Sequence, residues 1–429
     1  LVRLDESHHV LLLNLHHIAG DGWSLAVLAR EFMALYAAHS GNASSALPAL
    51  SVQYADFAQW QRRQLSGDSL QRMLAYWTQQ LAGLPVVHSF PLDKKRPEKQ
   101  SVVGALVSQS LDKSLGDGLI ALGRRQDCTL FMLMQTAFSV LLGRYSGESD
   151  IVIGTPVANR PGAELAPMIG FFLNTLVLRN DLSGNPGFTA LLARSREMVL
   201  GAYEHQHLPF EMLVDALRPE RTISHTPLFQ VMFTVQNNDS VDLTLPDLNV
   251  RTLDFDRGIA KYDLSLSIAE HEDGVQIDWE YCTDLFERDT ILRLAENFEV
   301  LLQAIAAAPE TPIDELALLG AAERQTLLRT WNDSACDYPR TQLVHEAFEL
   351  QARRTPDAPA VSSEAGSLSY RELDERANQL AQYLRHHGLP AEARVGVCIE
   401  RSPEMLVALL ATLKAGAAYV PLDPGYPLE

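Results

Sequence analysis

His16-His17-Ile18-Ala19-Gly20-Asp21-Gly22-Trp23-Ser24 (HHIAGDGWS) follows directly on the apolar run VLLLNL at 10–15. That run predicts a buried strand, because consecutive Leu and Val favour the inside of a sheet. Imidazole needs a hydrogen-bond partner once it leaves water, so the junction must supply a polar pocket or solvent. Neighbouring strand side chains point to opposite faces, so His16 and His17 cannot address the same cavity and one of them is structural. The other, at a strand mouth, can act as a base or hydrogen-bond acceptor near neutral pH, since the unperturbed pKa is about 6.5. The glycines permit positive φ or close backbone approach, and Asp21 can either cap the next helix or anchor the loop through an ion pair.

Working outward, residues 24–39 place Leu25, Leu28, Phe32 and Tyr36 on one helical face, with Gly41 just beyond the end. The motif therefore sits on a strand-to-helix turn. Residues 53–81 read as further amphipathic helix carrying Trp60 and Trp77, 85–99 as a Pro- and charge-rich connector, and 129–142 as an apolar helix. Strands are predicted at 150–157, 170–179 and 228–235, and a strand pair at 264–268 and 275–281 is joined by the polar turn 270–274. Alternating strands and helices imply a layered α/β body. A helix at 291–308 is followed by Pro309 and Pro312, and the aperiodic stretch WNDSACDYPRT at 331–341 marks a boundary. A second α/β unit then opens, with a helix at 344–354, a strand near 395–399 and a helix at 403–414 ending at Gly416.

The composition narrows the function. The 429 residues are 47% hydrophobic, enough for more than one core. A formal charge of -19 disfavours a general grip on nucleic acid or an anionic membrane. The four cysteines are widely spaced, with no CxxC or Cys/His ligand pattern, so a reducing cytoplasm is expected and neither a disulfide framework nor a zinc site is. The longest apolar stretches are interrupted, as 131–142 is by Gln135 and Thr136, so no membrane span is read.

HHxxxDG followed by Trp-Ser resembles the signature of condensation domains of nonribosomal peptide synthetases. The later motifs of that family appear in order: YADFAQWQRR at 54–63, IGTPVANR at 153–160, IGFFLNTLVLR at 169–179, HQHLPFE at 205–211 and RTISHTPLFQVMF at 221–233. Downstream, LSYRELDERANQL at 368–380 and LKAGAAYVPLDPGY at 413–426 resemble the first two motifs of an adenylation domain. The resemblance implies an α/β fold like chloramphenicol acetyltransferase, two lobes in a V with a tunnel between them. It divides the chain into a condensation domain at 1–308 whose first lobe is truncated, a linker at 309–341, and the partial start of an adenylate-forming domain at 342–429. The first two condensation motifs and the Ser/Thr/Gly-rich ATP-binding loop are not matched, so a piece cut at both ends is expected, one that does not adenylate by itself.

By the same resemblance, substrates hang as thioesters on the phosphopantetheine arms of upstream and downstream carrier domains, and the acceptor amine attacks the donor carbonyl. No cofactor is bound directly, and ATP with Mg²⁺ belongs only to the complete adenylation domain. His17 is the implied catalytic residue, taking the amine's proton or orienting the amine. His16, Asp21 and Gly22 are supporting, and Asp21 is expected to pair with Arg160 across the lobes. Trp23 and Asn237 are candidate tunnel groups, while Phe171, Phe172 and Phe210 are more simply core. His205 and His207 form a His-x-His without a third ligand, and no metal is assigned. Arg371, Glu372, Arg376 and Asn378 read as a solvated helix face. An epimerisation domain would also carry HHxxxDG, but the adenylation start and the Trp after Gly22 argue against it. A heterocyclisation domain would replace the histidines by aspartates. A docking module without catalysis is the reading from a different class.

Overall fold

The computed structural model describes residues 1–40, 47–220, 222–236, 245, 248–251, 253, 258–271, 273–364, 366–390 and 392–426. The chain forms two compact units, Leu1–Thr330 and Trp331–Glu429. In the first, strands β1 (Val2–Arg3) and β2 (His9–Val10) precede helices α1 (Gly22–His39), α2 (Tyr54–Gln64) and α3 (Gly67–Gln80). There follow β3 (Gly104–Asp112), α4 (Lys113–Arg125), α5 (Leu130–Ser146), β4 (Asp150–Val157), β5 (Asn174–Asp181), α6 (Phe188–Glu204) and α7 (Phe210–Leu217). The unit closes with β6 (Val231–Gln236), β7 (Leu264–His271), β8 (Gly274–Cys282), α8 (Arg288–Ala307) and α9 (Ala321–Leu328).

Six strands form one mixed sheet in the order β3-β8-β7-β6-β4-β5. The hairpin β7/β8 runs in register from Leu264↔Tyr281 to His271↔Gly274, and burial alternates along β8 as a half-buried strand demands. α5 is different: Met132 to Gly143 are all buried, as for a helix covered on every side. Thr129 caps it, accepting from the Met132 amide, and Gly147 ends it at φ 74°, where a left-handed residue is needed. Phe138 links the layers, meeting Phe233 of β6, Trp279 of β8 and Phe298 of α8 at ring distances of 6.0 to 6.2 Å. The α/β expectation holds, and β3 and α4, absent from the sequence reading, complete the sheet and its cover.

Two further readings change. Residues 11–15 are not a buried strand: β2 ends at Val10, and Leu11, Leu12, Leu13 and Leu15 are exposed. Among the described residues β2 pairs only with β1, so the run has no neighbour to complete its backbone hydrogen bonds and its side chains no layer to pack on. Residues 309–318, read as the start of a linker, lie on the first unit. Ile313 and Leu316 are buried, the Ile313 amide donates to the Pro186 carbonyl at 3.0 Å, and Arg144 donates to the carbonyls of Ile313 and Leu316.

The second unit contains α10 (Val344–Arg354), β9 (Pro359–Ser363), β10 (Gly366–Ser369), α11 (Tyr370–His386), β11 (Arg394–Val397), α12 (Pro403–Lys414) and β12 (Ala418–Pro421). Alanines at 377, 381, 408, 411 and 415 are buried where α11 meets α12. Lys414 is buried with Glu349 at 2.8 Å, Asp374 at 2.6 Å and the Asn378 carbonyl oxygen at 2.8 Å. Asn378 thus turns inward rather than to solvent, because a buried ammonium needs acceptors around all its protons.

Candidate active site

The HHIAGDG segment is organised by a turn, not by a strand. His16 has extended backbone (φ −66°, ψ 137°), and its Nδ1 accepts from the Ile18 amide at 3.2 Å, capping a single 3₁₀ turn over His17–Ala19. The Ala19 amide donates to the His16 carbonyl at 2.9 Å, closing that turn. The two imidazoles part because one is consumed as a cap and the other is carried on the turn, so strand alternation is not the reason. His17 is exposed, and among the described residues it makes no side-chain hydrogen bond. Its neighbour is Phe171, met edge-on with ring centroids 5.1 Å apart at 77°.

Asp21 follows as the N-cap of α1. One carboxylate oxygen accepts from the Ser24 amide at 2.9 Å, the Ser24 hydroxyl at 2.7 Å and Arg160 Nη2 at 3.2 Å, while the other accepts from the Phe172 amide at 3.0 Å. Burial pushes this carboxyl up, but the Ser24 hydroxyl, the Ser24 and Phe172 amides and the Arg160 charge outweigh it and hold it below the ordinary value of 3.8. The side chains of Arg160 and Asp21 are only 5% and 2% exposed, so the pair is a buried one. Arg160 also donates to the Leu165 and Met168 carbonyls and to Ser24 Oγ at 2.5, 2.8 and 3.0 Å. Its guanidinium lies 4.0 Å from the Phe172 ring centroid and 5.7 Å from Trp23, while its buried Nε has no hydrogen-bond partner among the described residues. Each extra acceptor offsets part of the desolvation that makes an isolated buried ion pair costly.

The structure thus brings together Asp21, Arg160, Ser24 and residues 170–172. Ser24, part of the signature but given no role from the sequence, is the hub: wholly buried, its hydroxyl lies 2.7 Å from the Gly170 carbonyl and 3.1 Å from the Gly170 amide. Trp23 spends its indole N–H on the Ala166 carbonyl at 2.8 Å. Gly22 opens α1 with nothing among the described residues within 4 Å of where a Cβ would stand, and neither it nor Gly20 has positive φ, so the conformational freedom expected of these glycines is not used. Asn237 lies outside the described residues. His207 Nδ1 donates to Asn159 Oδ1, 2.8 Å away, and burial lowers its pKa; His205 stacks on Tyr76 at 3.9 Å. Among the described residues no three His, Cys, Asp or Glu side chains converge as metal ligands. Cavities of about 310 Å³, lined by His88, Phe90 and Gln230, and about 330 Å³, lined by Phe57, Trp60 and Leu165, lie elsewhere in this unit, and neither is lined by His17.

Residues 1–328 match the family model described as condensation domain. The chain belongs to that family. Residues 348–429 match the AMP-binding enzyme family, so the condensation domain is followed by the start of an AMP-binding domain. Over its full length the chain is 44% identical to a component of the linear gramicidin synthase of Brevibacillus parabrevis and 45% identical to the chondramide synthase of Chondromyces crocatus. It spans 6% and 11% of those relatives. A solved four-domain nonribosomal peptide synthetase bound to AMP and glycine is similar at a TM-score of 0.77 and 27% identity, covering 96% of this chain and 32% of that one. The X-domain from teicoplanin biosynthesis is similar at 0.65 and 31% identity, with 71% of each chain covered. Among the described residues no helix is long and apolar enough to cross a membrane.

Proposed function

We propose that this condensation domain forms an amide between two carrier-bound substrates, with His17 facing the reacting nitrogen. The observation that carries the reading is the contrast between an exposed imidazole whose side chain makes no hydrogen bond among the described residues and the buried, multiply bonded brace of Asp21, Arg160 and Ser24 that holds the segment beside it. A rigid loop presenting a free imidazole is what positioning an amine, or removing its proton, requires. The amine nitrogen attacks the thioester carbonyl, the C–N bond forms as the C–S bond breaks, and the proton lost by nitrogen ends on the released thiol. Both substrates are taken to be thioesters on phosphopantetheine arms of carrier domains upstream and downstream in a cytoplasmic multimodular synthetase. The AMP-binding unit is read as the start of the ATP- and Mg²⁺-dependent domain that supplies the acceptor. The divisions 1–308, 309–341 and 342–429 are kept as functional segments, though residues 309–318 pack on the first.

The deciding experiment compares amide formation from loaded carriers by the wild type and His17→Ala. A positioned base or orienting group is expected to be worth about 10²-fold, the low end for such catalysis, because a thioester is already activated. Equal rates would favour the second reading, a docking module, which the likeness to the X-domain supports: a solved complex pairs that domain with OxyB. Solvent deuterium appearing at the donor α-carbon, with no amide formed, would instead point to epimerisation.

A further inference from the structure

Resting on the reading of His17 above, we infer that Tyr54 is a positioning residue for that imidazole and acts through Phe171. Tyr54 opens α2, and its hydroxyl donates to the Phe171 carbonyl at 2.6 Å. Its ring meets Phe172 edge-on at 5.1 Å, and it occupies the space a Cβ on Gly170 would need, 2.4 Å from Tyr54 Cδ2. Two neighbouring amides of this short segment are already held from the start of α1: that of Gly170 by the Ser24 hydroxyl, and that of Phe172 by Asp21. Tyr54 holds the other end of the peptide whose amide Asp21 takes, the carbonyl of the residue that carries the ring beside His17.

Phe171 is only half-buried, so its own packing does not fix it; the backbone clamp does. The His17 side chain in turn makes no hydrogen bond among the described residues, which leaves the edge-on contact with Phe171 as its orienting neighbour. Burial and the nearby Asp21 raise the Tyr54 phenol above its ordinary 10.0 against the pull of Arg160, so it remains a donor throughout the neutral range. Tyr54, through its bond to the Phe171 carbonyl, thereby couples α2 to the orientation of the histidine.

The test uses the full chain with isotope-labelled histidine, the His17 ring signal being assigned by its disappearance in His17→Ala. Tyr54→Phe and Phe171→Leu are both expected to move that signal, because an aromatic edge contact sets the local ring-current field. The signals of His205 and His207 should stay in place. In amide formation from carrier-bound substrates, Tyr54→Phe is expected to lower kcat about fivefold, the equivalent of one neutral hydrogen bond, with KM unchanged. A His17 signal that moves in Phe171→Leu but not in Tyr54→Phe overturns the inference. So does a Tyr54→Phe defect in which the His205 and His207 signals move as well, since that marks general loosening. Full turnover by His17→Ala would sink the catalytic reading of His17 alone, while the resonance comparison still decides whether Tyr54 sets its orientation.

Discussion

Asp21 uses both carboxylate oxygens on four donors from three parts of the chain, and this defines what its removal should do. Asp21→Asn leaves the Arg160 guanidinium buried without its counter-charge, and breaking a buried pair costs about 3–5 kcal/mol. Urea unfolding should show that loss, and a change under about 1 kcal/mol would mean the pair is dispensable. The pH dependence has a definite sign. The folded carboxyl lies below 3.8, so its stabilisation is complete above that ordinary value and is lost as the pH falls through the lowered one. Asp263 behaves in the same sense: burial raises it, but hydrogen bonds from His88 and Arg96 outweigh burial and lower it. Acid unfolding of Asp21→Asn should therefore start from a lower stability and fall less steeply below pH 3.8 than that of the wild type; parallel curves would refute the account. At this scale the motif alone offered Asp21 as either cap or ion-pair partner. It is both, since the cap takes amide and hydroxyl donors from Ser24 and leaves room for Arg160.

At the scale of elements, the sheet has one narrow joint. Between β4 and β6 the described pairing rests on Gly154↔Met232, and Gly154 is there because the Phe229 ring stands 2.2 Å from where a Cβ would be. Gly154→Ala should destabilise by about 1–3 kcal/mol through overpacking, and Phe229→Leu in the same chain should recover part of it. Additive losses in the double variant would show that the two residues do not compete for the same space. Several elements were legible in advance: α5 from its mostly apolar character, β7 and β8 as a strand pair joined by a polar turn, and α12 as a helix ending at Gly416. β3 was not, since ALVSQS offers few apolar residues, and its register from Gly104↔Cys282 to Asp112↔Gly274 comes from its neighbour β8. Residues 11–15 failed in the opposite sense: their composition suits a strand, but a strand needs a partner that composition does not contain.

For the molecule as a whole, the consequence of two units is a vulnerable stretch. Trp331, Tyr338, Leu343 and Val344 are exposed and residues 333–339 have no regular structure, so brief chymotrypsin treatment should cut first at Trp331 or Tyr338. First cleavage inside residues 309–318 would contradict their docking on the first unit. The sequence by itself determined the class and the order of parts, because periodicity is local and because six condensation motifs and two adenylation motifs occur in a single order. It also marked His16, His17, Asp21 and Arg160 as chemistry-bearing. Only the tertiary structure decided that Asp21 meets a residue 139 positions away, that His16 is spent as a cap, and that Ser24 and Tyr54 clamp the segment beside His17. The physical reason is that a side chain's partner is set by which backbone segments the core brings within about 3 Å, and hydrogen bonds have no periodicity along the chain from which that meeting could be read.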